Sequence, residues 1–464
     1  MRSVDLTQGS IVKGVVAFAL PLLGTSVVQQ LYSTVDLLFV GNVLGTQAVA
    51  ALGVGSLLIT LLVGLFTGIS VGVNVKVANL YGAGESEQLG RLLETALSLA
   101  VVFGLALVVV GFALAQPFVE IMKTPPESAG DALDYLRFAV AAAFPIGVYN
   151  ICSGALRGLG DSRSPLVAQG MGGLANIVAN WLALCVAGWG IVGCAVATML
   201  SNCLAAALVV IMLLRHDAFP KRANLGSPTD GGLEEPDRRK RSSTRPRAVI
   251  DASLAREVLV FGFPVAVQTI AIVVSNVAVQ HQIDLLGVNA IAAFVVYLKV
   301  ELPIYFVILA IGQATTTFVA QNHGAGLHGR CVDGVRVCMT LCLIMAVCMS
   351  VLMLACGYWA FWLFDRNDAV ISLGLAFIWT TFPFYFVYAV LEVQADALRG
   401  YGHSLGPALV VLVNICVLRV VLVFAFTAQG WGMEAIAATY PITWTTTALC
   451  MLALRFALGR RTCA

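Results

Sequence analysis

Charged residues are scarce in this sequence. Only 11% of its 464 residues are Asp, Glu, Lys or Arg, and 59% are hydrophobic, whereas soluble globular domains carry about 25% charged residues. The mean hydropathy is +0.91. This composition excludes an ordinary water-soluble fold. Because a membrane span needs about 20 apolar residues, the chain is long enough for about a dozen transmembrane helices.

The sequence also lacks the motifs of common enzymes, metal sites and nucleotide-driven pumps. It has no CxxC pair, no HExxH and no nucleotide-binding loop, and GAGES (82 to 86) and GLGDS (158 to 162) are turn sequences. The twelve cysteines lie mostly in apolar runs, which is typical of small buried residues. The net charge of +2 gives no basic field for nucleic acid. We therefore expect no enzyme activity, cofactor, metal or nucleic-acid partner.

The apolar runs predict an all-α membrane protein with twelve transmembrane helices. They start near residues 14, 48, 93, 135, 164, 190, 255, 290, 333, 369, 406 and 433. One long polar stretch, residues 215–252, separates the sixth helix from the seventh and contains RRKR (238 to 241). We interpret it as a linker, mostly disordered by composition, between an N-terminal lobe (1–214) and a C-terminal lobe (253–464).

Loop cations predict the orientation of the chain in the membrane. Most of them fall on the side of the linker, and Lys123, Arg137 and Arg366 fall on the other. By the positive-inside rule, the linker and both termini are cytoplasmic and the protein is a multi-pass cell-membrane protein. The cations on the linker side include Arg2, Lys13, Arg91, Arg157, Arg163, Arg330, Arg336, Arg399, Arg455, Arg460 and Arg461.

An internal repeat divides the chain into two homologous halves. ALRGLGDSRSP from Ala155 corresponds to ALRGYGHSLGP from Ala397, and ANLYGAG from Ala78 corresponds to AQNHGAG from Ala320, both at an offset of 242 residues. Six helices per half is an even number, so both halves enter the membrane from the same side. Parallel repeats with a site at their interface are typical of transporters, in which the halves rock to expose that site alternately. A duplicated scaffold or receptor without transport is the alternative.

Ionisable side chains inside the apolar runs cost about 2.5 to 3.5 kcal/mol each on insertion scales, so each one is a candidate functional residue. Asp36, in LYSTVDLLFVGN, has Ala278 at the corresponding position of the second half. Burial disfavours its charged form, so it can hold a proton or bind Na⁺ at one stage of a cycle. The alternative is a helix-end carboxylate that reaches water. The other such residues are His281, Asp284, Lys299, Glu301, Glu392, Asp396 and Arg419.

Uncharged polar residues collect near Asp36 in the first half. Asn176 and Asn180 are one helical turn apart, and Thr198 lies on the following helix. With Asp36 they would form an oxygen-rich cation pocket, which Na⁺ requires and a proton does not. Ordinary hydrogen bonding between helices is the competing interpretation.

The second half carries polar candidates of both signs. Lys299 and Glu301 are two residues apart and point to different helix faces, so each needs a partner elsewhere. Glu392 and Asp396 share a face, and we expect Asp396 to be solvated because it precedes the ALRG turn. Arg419 is a candidate countercharge for Glu392 or Glu301. Structural pairing and a role in the cavity both remain open for these residues.

Taken together, the motifs resemble the multidrug and toxic compound extrusion (MATE) family, as found in prokaryotes. The resemblance covers nearly the whole chain outside the linker. It implies the two-lobe MATE/MOP-type fold, a central cavity, and efflux of varied, often cationic compounds against H⁺ or Na⁺. The motifs that carry it are LYSTVDLLFVGN, ANLYGAG, GALRGLGDSRSP, LANIVANW, GWGIVGCAVAT, LKVE, TTFVAQNHGAG and DALRGYGHS.

The resemblance also assigns roles to residues. Asp36 matches the acid of the first helix that such transporters protonate or use for Na⁺, and Asn176 and Thr198 match polar members of its pocket. Asn180 departs from the pattern, because many prokaryotic relatives have a second acid there, and this weakens a Na⁺ site. LKVE resembles the basic-x-Glu pattern of the family, which makes Lys299 and Glu301 candidates for cavity polarity.

We therefore predict a secondary antiporter, expected to be a monomer, that expels small organic compounds across the lipid bilayer with Asp36 as the main coupling carboxylate. One alternative is a flippase for lipid-linked oligosaccharides from the same superfamily, which would need a more cationic cavity. A membrane-embedded enzyme is the alternative from another class, and no motif supports it.

Overall fold

The computed structural model describes residues 4–122, 126–219 and 250–462, and these form twelve long helices without a β-strand. The helices are α1 (Ile11–Val43), α2 (Thr46–Ala83), α3 (Ser86–Ile121), α4 (Pro126–Gly158), α5 (Arg163–Asn180), α6 (Gly190–Leu214), α7 (Ala252–Asp284), α8 (Val288–Gly324), α9 (His328–Phe364), α10 (Asp368–Gly400), α11 (Leu405–Ala428) and α12 (Met433–Thr462). The all-α fold is confirmed.

The predicted helix starts agree with the observed ones to within nine residues. The largest difference is at α4, which begins at Pro126 although the apolar pattern begins near residue 135. Eleven helices in the described residues are long and apolar enough to cross a membrane. The twelfth, α5, is extended by the π-helical turn Trp181–Val186. The helices that flank the predicted linker (215–252) are α6, which ends at Leu214, and α7, which begins at Ala252. Residues 220–249, and the loop cations Arg2 and Lys123, lie outside the described residues.

The repeat appears in the backbone as pairs of glycines at the same turns. Gly45 and Gly287 have φ of 86° and 101°, and Gly160 and Gly402 have φ of 84° and 91°. Both pairs are 242 residues apart, and both occupy the left-handed region that glycine adopts at no steric cost. The two halves therefore turn at equivalent points, as homologous six-helix lobes do.

Each lobe has its own hydrophobic core, and the first helix of each half crosses to the other lobe. Val15 and Phe18 of α1 are buried in the core of the C-terminal lobe, and Ala255 and Val258 of α7 are buried in the core of the N-terminal lobe. These residues lie in the first turns of α1 and α7, at the end of the bundle where α6 ends at Leu214 and α7 begins at Ala252. We call this end of the helix bundle the linker-side end, and the opposite end the far end.

Tryptophans mark the far end of the bundle. Trp189 and Trp431 are 59% and 49% exposed and lie 242 residues apart in the turns before α6 and α12. Indole rings favour the boundary between lipid and water. Together with the eleven apolar helices, these rings indicate a multi-pass membrane protein with one lipid–water boundary at the far end.

The lobes contact each other closely at the linker-side end. Asn74 of α2 exchanges hydrogen bonds with Thr317 of α8, with N···O and O···O distances of 3.1 and 3.2 Å. A Cβ at Gly82 would overlap the carbonyl oxygen of Gln321, and a Cβ at Gly324 would overlap that of Asn79. These two contacts are equivalent under the 242-residue offset, so the linker-side seam is itself two-fold symmetric.

Candidate functional site

Asp36 lies inside the N-terminal lobe, in the far-end half of α1. Its side chain is 8% exposed. Asn176 and Asn180 of α5 donate to Oδ1 from 3.2 and 2.7 Å, and the Thr198 hydroxyl of α6 donates to Oδ2 from 2.9 Å. The four residues singled out in the first half of the sequence therefore form one pocket, and both carboxylate oxygens are hydrogen-bonded.

Local helix geometry positions this pocket. Asn176 and Asn180 are one turn apart on the buried face of α5, and α5 changes to a π-helix directly after Asn180. π-helical turns are rare and frequently occur at functional sites. The regular α-helix therefore ends at Asn180, the residue that donates the shorter of the two amide hydrogen bonds to Asp36.

Two amide oxygens in the pocket have no partner among the described residues. Oδ1 of Asn176 and Oδ1 of Asn180 are both buried and unbonded, although each side chain donates through its nitrogen to Asp36. A buried acceptor without a donor costs free energy of about 1–3 kcal/mol. The pocket therefore has unused acceptor capacity beside a carboxylate, which suits a proton or a small cation.

The chemistry of the pocket fits two charge states of Asp36. In the ionised state, the two amides and the hydroxyl donate to it, which compensates for its burial. In the protonated state, the carboxyl group donates a hydrogen bond and needs an acceptor. The Thr198 hydroxyl can serve, because a hydroxyl both donates and accepts. With a bound cation, the carboxylate, hydroxyl and amide oxygens are the hard ligands that such ions prefer.

Tyr32 is a neighbour of the pocket that sequence reasoning missed. It lies one turn before Asp36 on α1, is 8% exposed, and its hydroxyl donates to the Gln169 carbonyl of α5 from 3.5 Å. A Cβ at Gly172 would overlap that hydroxyl. The two glycines of MGG in α5 were the available signal, because small residues allow helices to approach closely.

Glu301 and Lys299 separate in the C-terminal lobe, as their spacing predicts. The Glu301 carboxylate accepts a hydrogen bond from the Tyr385 hydroxyl of α10. Tyr385 is buried and packs against Trp444, with ring centroids 5.0 Å apart. Lys299 is exposed, and within residues 4–122, 126–219 and 250–462 it makes no hydrogen bond or ion pair. Only Glu301 is thus fixed by a partner.

The expectation that Asp396 is solvated is wrong. Asp396 is 5% exposed and pairs with Arg399 at 2.7 Å, and Arg399 also donates to Gln268 of α7 from 3.0 Å. The helix α10 continues to Gly400 and is packed against α8, so residues that looked like a loop turn in the sequence are inside the lobe. Arg399 is accordingly a buried structural cation, and Glu392 lies one turn before Asp396.

Arg157, the counterpart of Arg399 in the first half, is also not a loop cation. It lies at the end of α4 and donates to Gln313 of α8 in the other lobe from 2.9 Å. It therefore joins the two lobes near the linker-side end. Both arginines belong to the ALRG segments of the repeat, yet one binds within its lobe and the other binds across the seam.

Arg419 forms no direct ion pair with Glu301 or Glu392, its candidate partners in the sequence. No carboxylate lies within 4.0 Å of its guanidinium among the described residues. Instead, it donates to the Thr443 hydroxyl of α12 from 3.1 and 3.2 Å and stacks over the Tyr440 ring, 4.3 Å from the centroid. Cation–π contact and hydroxyl donation stabilise a buried guanidinium without a carboxylate.

Comparison with known proteins gives the same division into halves. The MatE family model matches residues 21–182 and 264–425, once in each lobe. The two matches start and end at nearly the offset of the internal repeat and together cover well over half of the chain.

Several curated relatives match along most of their length. The Probable multidrug resistance protein NorM of Thermotoga maritima is 23% identical over 417 residues, which are 89% of this chain and 85% of that protein. The Multidrug resistance protein PmpM of Pseudomonas aeruginosa is 27% identical, over 87% of this chain and 82% of that protein. The FAD transporter of Shewanella oneidensis is 23% identical, over 89% of this chain and 87% of that protein.

Solved structures share the fold. A MATE protein crystallised in complex with MaL6 superimposes with a TM-score of 0.88 at 19% identity and covers 100% of both chains. An outward-facing multidrug resistance MATE family transporter of the MOP superfamily gives 0.86 at 19% identity, over 99% of this chain and 98% of the other. The two-lobe architecture predicted from the repeat is confirmed.

Proposed function

The chain belongs to the MatE family of transporters and is therefore not an enzyme, and from that premise we propose that it exports small organic compounds, often cationic, in exchange for H⁺ or Na⁺. Relatives named as multidrug resistance proteins support this substrate class. The central observation is the buried carboxylate of Asp36, with three donors and two unbonded amide oxygens around it.

The proposed mechanism couples the charge of Asp36 to the packing of its lobe. Protonation or cation binding removes the net negative charge and releases donors that now bind Asp36, so the preferred packing of α1 against α5 and α6 changes. Alternating access then carries substrate outward while the ion moves inward, and loss of the ion restores the first arrangement. The proposed orientation has both termini and the linker in the cytoplasm of a monomeric protein.

Asn180 bears on the choice of ion. It donates its amide to Asp36, so the pocket holds one formal negative charge. A proton needs only that one carboxylate, whereas a site for Na⁺ gains from a second charge. We therefore propose H⁺ as the favoured coupling ion, with Na⁺ as the alternative for the same site.

A flippase for lipid-linked oligosaccharide remains the second candidate from the same superfamily. Such an anionic substrate favours a cationic cavity. The sequence predicted two cations for the cavity, Lys299 and Arg419. Arg419 is 4% exposed and is stabilised by Thr443 and Tyr440, so only Lys299 of the two is exposed. This distribution supports drug efflux over lipid-linked sugar transport.

The test is efflux from membrane vesicles under an imposed pH or Na⁺ gradient without ATP. We expect dye movement driven by a pH gradient, abolished in Asp36→Asn because an amide cannot exchange a proton. Asp284→Asn is the matched control: Asp284 is an exposed carboxylate at the end of α7 that accepts from Gln280. Normal gradient-driven efflux by Asp36→Asn, or movement of lipid-linked sugar only, would contradict the proposal.

A further inference from the structure

The segment ahead of α1, residues 4–9, lies across the gap between the two lobes. The Val4 amide donates to the Gly160 carbonyl, in the turn between α4 and α5 of the N-terminal lobe, from 2.9 Å. The Leu6 side chain is 1% exposed and is buried in the core of the C-terminal lobe. Two residues of one short segment are thus attached to different lobes. We call residues 4–9 the strap.

Arg330, in the first turn of α9, holds the strap on the C-terminal lobe. Its guanidinium donates to the carbonyls of Leu6 (3.2 and 3.3 Å), Gln8 (2.8 Å) and Gly9 (3.0 Å). Among the described residues, it has no carboxylate within 4.0 Å. Gly9 has φ of 69°, a conformation that favours glycine, and this bend turns successive carbonyls toward one side chain.

A second donor reinforces the same attachment. Asn322, in the last turn of α8, donates to the Leu6 carbonyl from 3.1 Å. Its neighbour Gln321 donates across the seam to the Gly158 carbonyl from 2.8 Å, and Gly158 begins the turn that contains Gly160. The strap therefore connects the same two turns that are joined directly by side-chain hydrogen bonds.

We propose that the strap and Arg330 form a lock across the linker-side seam, which holds the lobes together there and must release before the cleft opens toward the linker. The proposal rests on the alternating access proposed above, because it assigns the contacts that keep one gate closed. Opening that gate moves Gly160 away from Asn322 and Arg330. A strap attached to both turns has to let go of one of them.

The geometry indicates where the lock is strong and where it is weak. On the C-terminal lobe, the strap has several donors and a buried leucine, and hydrogen bonds from a charged donor are about twice as strong as neutral ones. On the N-terminal lobe, the strap makes one hydrogen bond among the described residues, from the Val4 amide to the Gly160 carbonyl. The strap therefore stays with the C-terminal lobe, and the Val4 bond breaks.

The experiment measures the distance between the lobes at the linker-side end. Spin labels are placed at Glu87 of α3 and Val332 of α9, both exposed, in a chain freed of its other reactive cysteines that still transports. Distances are recorded without substrate or gradient. We expect Arg330→Ala to raise the ratio of long to short distances at most about tenfold, because a strap released from the C-terminal lobe no longer ties Gly160 to it, and the strap adds one hydrogen bond across the seam, from Val4 to Gly160.

Two further variants keep the test decisive if Arg330→Ala fails to fold. Arg330→Lys retains the charge but not the planar fork, so we expect a smaller increase in long distances. Removal of residues 1–8 deletes the strap except for Gly9 and leaves Arg330 intact, and we expect it to match Arg330→Ala. Arg336→Ala is the control, because Arg336 lies on the same helix and pairs only with exposed Asp333 among the described residues.

The outcomes separate the lock from the transport mechanism. Distance distributions in Arg330→Ala and in the strap deletion that match those of Arg336→Ala overturn the lock and indicate an anchor that only stabilises the fold. That result leaves the coupling role of Asp36 untouched, since gradient-driven efflux tests it separately. Conversely, normal gradient-driven efflux by Asp36→Asn would contradict the coupling role of Asp36. The lock would still be supported if the distances changed in Arg330→Ala.

Discussion

The two lobes place opposite charges at related positions of one scaffold. In the N-terminal lobe, Thr198 donates to the carboxylate of Asp36. The residue 242 positions later is Tyr440, whose ring lies under the guanidinium of Arg419. Asp36 itself corresponds to Ala278. The duplication therefore kept the helices and changed the chemistry inside them.

The difference between the lobes concerns which charge can change. A carboxylate surrounded by neutral donors can gain and lose a proton, whereas a guanidinium stays charged in proteins. The C-terminal lobe also concentrates aromatic residues, with Tyr297, Phe382, Tyr385 and Trp444 in ring contact. The N-terminal lobe thus holds a carboxylate among neutral donors, and the C-terminal lobe combines the permanent charge of Arg419 and aromatic surfaces with a carboxylate of its own, Glu301.

The largest effect on stability is expected at the buried ion pair of the C-terminal lobe. Asp396→Ala leaves Arg399 buried without its carboxylate, with side chains 7% and 9% exposed in the native pair, and breaking such a pair costs about 3–5 kcal/mol. Thermal unfolding in detergent measures the loss. Asp333→Ala is the matched control, because Asp333 and Arg336 form a pair of the same spacing that is 60% and 76% exposed. Equal effects of the two changes would show that Asp396 is solvated after all.

Thr198→Val sharpens the assignment of the exchangeable charge. The change removes a donor to Oδ2 of Asp36, and a hydrogen bond to a charged group contributes about 1.5–3 kcal/mol. The ionised form of Asp36 loses a charge-assisted hydrogen bond and the protonated form loses only a weaker neutral one, so we expect the pH profile of efflux to shift toward alkaline pH. Thr445→Val removes a hydroxyl that binds only its own helix among the described residues and should leave the profile unchanged. An unshifted profile in Thr198→Val would argue against Asp36 as the titrating group.

Glu301→Gln tests the fixed role of the other lobe. Glutamine can still accept from Tyr385 but lacks the negative charge, so we expect about tenfold weaker apparent affinity for a cationic dye, equivalent to about 1.4 kcal/mol. A neutral dye and the gradient dependence should be unaffected. Both are measured in the same vesicles. If gradient dependence disappears, both lobes take part in coupling and the contrast between them fails.

The smallest effect is expected at the exposed ion pair between α2 and the first turns of α7. Lys76 and Glu257 lie 2.8 Å apart, with side chains 35% and 49% exposed. Such pairs contribute about 0–1 kcal/mol, so Lys76→Ala should change thermal stability little, and less so in high salt. A large loss of thermal stability would contradict this expectation and would show that the exposed pair contributes more to stability than its exposure predicts.

Most of the fold and the centre of the N-terminal pocket could be predicted from the sequence. The apolar runs predicted the number of helices, and the repeat, with six helices in each half, predicted that the two halves run in the same direction. Asp36, Asn176, Asn180 and Thr198 were predictable as a group, since polar residues in apolar helices have few partners besides one another.

The remaining contacts could not be predicted, for physical reasons that differ between residues. Arg419 was a candidate countercharge for an acid because a sequence shows which residues are charged. A sequence does not give the distances between helices, so the contacts with Tyr440 and Thr443 could not be predicted. The Tyr385 hydroxyl donates to Glu301 because α10 packs on α8. The spacing of residues along the sequence does not indicate which side chains of two packed helices come into contact. The strap binds Arg330 through backbone carbonyls, and every residue has one, so nothing in residues 4–9 marks them as acceptors.

Gly82 and Gly324 preserve the geometry of an isologous dimer interface. Each glycine seats against a carbonyl of the opposite half, at Gln321 and Asn79, so one patch meets its own copy. Two identical six-helix chains would make this contact twice with a single sequence. A duplicated six-helix unit therefore needs only one self-complementary surface to pair in parallel, and the interiors of its two copies can differ, as Asp36 in one half and Ala278 in the other do.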